Sequence, residues 1–213
     1  MKKPKVVISV ALDGSFNFYY RDNLHALQRE GAVLKFFSPT RDRKLSHSDG
    51  IYIGGGFPEV LGNHLEKNQF IRKKIRQLSE AGMPIYAECG GLMYLTKSID
   101  YGSKKYKMAG VFDAETKMTK KMKLSYTKGK IVSKNVISSR FHAFHGHEFH
   151  YSELRCVSSD SKFAYDLEVG MGIKNNRDGM ILGNTLASYG HLYFGSSDYA
   201  EAFVKNCESF SRR

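Results

Sequence analysis

The chain has 213 residues, 41% hydrophobic and 25% charged, which is enough to bury one sizeable core and argues against a disordered chain. A formal net charge of +12 favours anionic partners: acidic protein surfaces, polycarboxylate small molecules or nucleic acid. No apolar run approaches the roughly 20 residues of a membrane helix, and the widely spaced Cys89, Cys156 and Cys207 fit neither a disulfide framework nor a CxxC metal site, so a reducing cytoplasm is the expected compartment.

The first half alternates strand and helix signals, the pattern of parallel strands with helices on both faces. Residues 5–10 read as the first strand, Asp22 caps a helix carrying Leu24 and Leu27 that ends at Gly31, and residues 33–37 form the second strand. Residues 51–53 are a short buried strand running straight into Gly54-Gly55-Gly56. One long helix is expected over residues 63–81, closed by Gly82, before a strand over 85–88. Cys89-Gly90-Gly91 follows, then a helical stretch holding Leu92, Met93 and Leu95.

In the second half residues 117–126, 130–136, 147–154 and 162–173 read as strands, with a turn at Asn175 to Gly179, a strand over 180–186 and a closing helix over 198–210. Without repeats or a low-complexity linker, the expectation is a single α/β domain over 1–213, its central sheet mainly parallel with an antiparallel section in the second half.

Ala87-Glu88-Cys89-Gly90-Gly91 has the small-x-nucleophile-x-Gly pattern of a nucleophile elbow, in which a tight strand-to-helix turn lifts the reactive atom above the sheet. A cysteine opening a helix also meets the positive end of the helix dipole, which favours its thiolate form. The same residues would equally suit a small buried cysteine with glycines needed only for packing. Gly54-Gly55-Gly56 ends a strand but lacks the Lys and Ser or Thr of a phosphate loop, so its exposed amides suit an oxyanion hole better than a phosphate. His191 lies just past a strand, on the edge where Cys89 is expected, and is the candidate base.

Four histidines and a glutamate crowd residues 142–150, but strand alternation sends His147 and Phe149 to one face and Glu148 and His150 to the other, so no metal site is expected. The lysines are spread along the chain, as on a solvated surface, and neither a helix-turn-helix nor an aromatic RNA-binding signature accompanies them. Nucleic acid is therefore not the expected partner.

The runs Phe16 to Tyr20 with Asp22-Asn23-Leu24, Phe37-Ser38-Pro39, Gly54 to Glu59, Tyr86 to Leu95, Gly146 to Ser152 and Ala187 to Leu192 closely resemble the carboxyl-terminal half of cobyrinic acid a,c-diamide synthases. They cover nearly the whole chain. The resemblance implies a flavodoxin-like three-layer sandwich and a class I glutamine amidotransferase of the cobyric-acid-synthase type. Glutamine would be hydrolysed at a Cys/His pair, and ammonia would pass to an ATP-using synthetase portion that amidates a polycarboxylate tetrapyrrole. By that resemblance Cys89 is the nucleophile and His191 the base, the amides of Gly55, Gly56 and Gly90 form the oxyanion hole, and Glu148, His150 and Tyr151 are candidates for substrate contact. Many class I amidotransferases carry a Glu two residues after the histidine; here that position is Tyr193, which implies a dyad with a less firmly oriented ring. The family's ATP-binding half has no counterpart in these residues, which contain no GxxxxGK[ST] loop, so ATP and Mg are expected on the missing synthetase portion and no cofactor in this domain. A cysteine peptidase or esterase on the same elbow, and a non-catalytic basic binding module, are the alternatives.

Overall fold

A computed structural model of the chain describes residues 5–195 and 197–213. In chain order the elements are β1 (Val6–Ala11), α1 (Arg21–Arg29), β2 (Ala32–Phe37), β3 (Gly50–Ile53), α2 (Gly62–Lys67), α3 (Gln69–Glu80), β4 (Ile85–Glu88) and α4 (Gly90–Leu95). Then come β5 (Ser98–Tyr101), β6 (Lys104–Lys107), β7 (Glu115–Ile131), β8 (Ala143–Arg155), β9 (Lys162–Val169), β10 (Arg177–Leu182), β11 (Thr185–Ser188), β12 (His191–Leu192) and α5 (Tyr199–Ser211). Among the described residues no helix is long and apolar enough to cross a membrane.

The strands form one mixed sheet in the order β12-β8-β7-β9-β10-β11-β4-β3-β1-β2, with the β5/β6 hairpin branching from β7. β2, β1, β3, β4 and β11 run parallel; from β11 outward through β10, β9, β7, β8 and β12 every pairing is antiparallel. The antiparallel section is thus as extensive as the parallel one. Alternation along the parallel strands feeds two cores. Ile51, Ile53, Ile85 and Ala87 pack with Leu65, Ile71, Ile75, Leu92 and Leu95 of α2 to α4, whereas Tyr52, Tyr86 and Leu186 pack with Ala26 and Leu27 of α1 and Phe203 of α5. This gives three layers, with Glu88 falling on the tyrosine side of its strand.

The structure corrects several boundaries. The helix expected over 63–81 breaks at Asn68, whose side-chain amide donates to the carbonyls of Pro39 and Asp42 at 2.8 and 2.9 Å and so ties the break to the loop after β2. Asp22 does not cap α1; it lies in the first turn and accepts the Tyr193 hydroxyl. The strand expected over 117–126 and the first two residues of that expected over 130–136 belong to one strand, which ends at Ile131, because Gly129 stays in the ladder, where a Cβ would stand 2.3 Å from the Asp166 carbonyl; the glycine marks a close approach, not a turn. The strand expected over 180–186 is a hairpin turning at Gly183 (φ 55°) and Asn184. The β5/β6 hairpin was not anticipated, although Gly102 (φ 64°) signals it.

Candidate active site

At the carboxyl edge of the parallel strands, the loops after β1, β3, β4 and β11 meet. Phe18 and Gly55 exchange two backbone hydrogen bonds of 3.1 Å, which stitches the first two loops together. Cys89 turns the chain from β4 into α4 at φ 49°, ψ −103°, a conformation side chains rarely adopt, and its amide is held by the Ser188 carbonyl at 2.7 Å. Such strain persists only where the surroundings over-determine it. Those surroundings are glycines: a Cβ at Gly91 would meet the Ile53 carbonyl at 2.3 Å, one at Gly90 the Gly56 backbone at 2.8 Å, and one at Gly56 (φ 149°) the Ser15 carbonyl at 2.1 Å. Cys89 is 6% exposed as a residue, and its thiol donates to the Phe149 carbonyl of β8 at 3.4 Å.

His191 closes the site from the loop after β11. Its Nδ1 lies 3.4 Å from Glu88 Oε2. Glu88 is buried and also accepts the hydroxyls of Tyr52 (2.8 Å) and Tyr86 (2.6 Å) and the Leu192 amide (3.1 Å). Burial disfavours a charged ring at His191, but hydrogen bonding with Cys89 and Glu88 and their charges outweigh it and push the imidazole up to about 10. Burial disfavours the Glu88 carboxylate as well; the His191 ring, the Tyr86 hydroxyl and the Leu192 amide prevail and hold it below its ordinary value. The pair therefore favours imidazolium and carboxylate together. His147 of β8 stacks on His191 with ring centroids 4.9 Å apart and 17° between planes, and its Nδ1 meets the Tyr20 hydroxyl at 2.8 Å. Burial, then the neighbouring His191, push His147 down, against a pull from Glu88. The Phe18 ring sets its edge against His191 at 4.9 Å.

The expected residues divide. Cys89, His191, Gly56 and Gly90 come together, and among the described residues no backbone acceptor takes the amides of Gly56 and Gly90. Gly55 is different: its amide already donates to Phe18, which removes it from the expected oxyanion hole. Glu148 and His150 point into the core instead of towards an incoming ligand. Glu148 accepts the amides of Met171 (2.6 Å) and Gly172 (3.0 Å), and His150 stacks on Tyr189 with centroids 3.7 Å apart, so both brace the walls of the site. Burial opposes the Glu148 charge, but His150 and these two amides hold the carboxyl below its ordinary value. Tyr151 alone of the three faces outward. Among the described residues no group of three possible metal ligands assembles.

Sequence reasoning missed three residues. Glu88 was only the unspecified position of the elbow pattern, and nothing local says that it reaches a histidine 103 residues away. Asp178, expected in a turn, is buried and accepts the amides of Gly179 (2.8 Å), Tyr189 (3.0 Å) and Gly190 (2.9 Å), which shapes the approach to His191. Burial pushes its carboxyl up to about 6 against those three donors. His147 was assigned to a face, not to contact with His191. Tyr193, two residues after His191, binds Asp22 through its hydroxyl at 2.8 Å.

With this geometry in hand, the comparisons with known proteins are specific. The profile of the CobB/CobQ-like glutamine amidotransferase domain matches residues 7–199. Cobyrinate a,c-diamide synthase of Methanosarcina barkeri is 43% identical over 97% of this chain and 45% of its own length, and that of Methanosarcina acetivorans 45% identical over 89% and 41%. The chain thus spans under half the length of these curated relatives. Among solved structures, PurLQS of Thermotoga maritima superposes with a TM-score of 0.70 at 14% identity, covering 99% of this chain and 100% of that one. A glutamine amidotransferase superposes at 0.67 and 18%, covering 93% and 98%. At such identities these two establish the fold alone, but the family match and the curated relatives go further, and with the elbow, the glycine loops and the histidine edge they make this chain a member of the CobB/CobQ-like glutamine amidotransferase family.

Proposed function

We propose that the chain is the glutaminase portion of a cobyrinate a,c-diamide synthase, hydrolysing glutamine at Cys89 with His191 and supplying ammonia for amidation of a polycarboxylate tetrapyrrole. The single observation that carries this reading is Cys89 on its strained turn, interacting with His191 and flanked by the amides of Gly56 and Gly90. The Cys89 thiolate attacks the side-chain carbonyl carbon of glutamine, and the negative charge that develops on oxygen is received by the Gly56 and Gly90 amides. His191, protonated, gives its proton to the departing nitrogen, which leaves as ammonia. The neutral ring then takes a proton from water, whose hydroxide attacks the thioester and releases glutamate. Tyr151, on the outward face of β8 with Phe149, remains the substrate-side contact from the original three.

The partner is an ATP-dependent synthetase portion matching the rest of the curated relatives' length, and ATP and magnesium belong there. The test is ammonia release from glutamine together with labelling by a glutamine-mimicking electrophile. Modification confined to Cys89, and loss of ammonia release in Cys89→Ala, is the expected result. Parent-rate release by Cys89→Ala would overturn it, and preferential turnover of peptide or ester substrates would point to a different cysteine hydrolase.

A further inference from the structure

An imidazole that is to take and give protons needs something to hold its ring, and Tyr193, two residues on, is engaged with Asp22. The only carboxylate that hydrogen-bonds to the His191 ring among the described residues is that of Glu88. Alternation places Glu88 on the tyrosine side of β4, beneath the turn, while the next residue carries the sulfur above it. With Nδ1 committed to Glu88, the ring nitrogen left for Cys89 is Nε2. A carboxylate that accepts four hydrogen bonds at one buried point is itself fixed in place, so the ring orientation it imposes is fixed too.

We propose that Glu88 is the positioning carboxylate of this site, keeping His191 in the Nδ1–H form with Nε2 towards Cys89, so that consecutive residues of one strand end supply both the orienting acid and the nucleophile. The proposal deepens the glutaminase reading and rests on it for its kinetic arm only. The groups facing His191 are Glu88 from β4, Cys89 from the turn, His147 from β8 with the Tyr20 hydroxyl behind it, and the uncharged Phe18 ring; Tyr52 and Tyr86 reach it only through Glu88.

A purely structural Glu88 would serve the two tyrosines and the Leu192 amide and nothing else, and the variants separate the two roles. Glu88→Gln presents an amide N–H or a non-basic oxygen to Nδ1, Glu88→Asp shortens the reach, and Tyr86→Phe removes a hydrogen bond to Glu88 without touching the histidine. In the ligand-free full chain, nitrogen-detected NMR of the His191 ring, assigned with His191→Gln, should show a titration midpoint that falls by about one pH unit or more in Glu88→Gln, partly recovers in Glu88→Asp and stays near the parent in Tyr86→Phe. The kcat for ammonia release should fall roughly 10²- to 10⁴-fold in Glu88→Gln with KM little changed. An unmoved midpoint in a folded Glu88→Gln protein overturns the proposal, as does a Tyr86→Phe protein that loses as much kcat as Glu88→Gln. Should Glu88→Gln fail to fold, an unmoved midpoint in Glu88→Asp overturns it equally. A parent that releases no ammonia while the midpoints shift as described would sink the glutaminase reading and leave the positioning role standing.

Discussion

The parallel strands and the long β7/β8 ribbon are built from different materials and contribute differently to the site. β3, β4 and β11 are four residues each and buried throughout, so their ends have little freedom and carry Gly54 to Gly56, Glu88 with Cys89, and the approach to His191. β7 and β8 run for 17 and 13 residues, with one face inward and the other bearing lysines and large apolar side chains. Tyr126, opposite His147, is 84% exposed, and Leu124 lies opposite Phe149. Groups whose position must hold to a fraction of an ångström stand on strands packed from both sides, and the ribbon lends a wall: the Phe149 carbonyl, the His147 ring and, from below, Glu148 and His150.

If the division is real, the parallel edge should be intolerant, and exposed positions of the ribbon away from His147 and Tyr151 should matter little to stability. Gly56→Ala should have the largest effect, because the new Cβ meets the Ser15 carbonyl at 2.1 Å in a left-handed backbone; a loss of roughly 2–4 kcal/mol in chemical denaturation is expected. Cys89 offers a trade-off: Cys89→Gly and Cys89→Ala should both end ammonia release, but the glycine variant should be more stable by about 1 kcal/mol, because only glycine relaxes at φ 49°. Equal melting temperatures for the two would show that the elbow stores no strain.

Asp178→Asn keeps the shape but turns an N–H towards the Gly190 amide, and a cost of about 1–2 kcal/mol is expected near pH 5. Because burial raises the native carboxyl to about 6 from 3.8, its stabilising contribution is complete below 3.8 and is lost as pH rises through 6, so the cost should shrink towards pH 8. His191 follows the same sign at higher pH. With its ring pushed up to about 10 from 6.5, its contribution is complete below 6.5 and lost as pH rises through 10, and melting scans across that window should decline less in His191→Gln than in the parent. The smallest effect belongs to the ribbon: Leu124→Thr on the exposed face should change stability by no more than about 0.5 kcal/mol.

Much of the parallel half was legible because its signals are local. Strand, glycine turn and helix follow one another around Cys89, and the 51–53 strand runs directly into its glycines, so both loops could be placed at one edge before any coordinates. The antiparallel half was read less well, since glycines at 129 and 183 look alike in sequence but one lies within a ladder and the other turns a hairpin. Only the identity of the neighbouring strand separates them.

The amino-acid sequence by itself determined the α/β class, the nucleophile candidate and the edge on which the chemistry stands, because each depends on residues within a few positions of one another. Tertiary structure decided that Gly55 spends its amide on Phe18, that Glu148 and His150 turn inward, and that Glu88 reaches His191. Those outcomes depend on which groups remain unpaired once distant strands are packed side by side, and hydrogen-bond partners 23 to 103 residues apart leave no trace in local patterning.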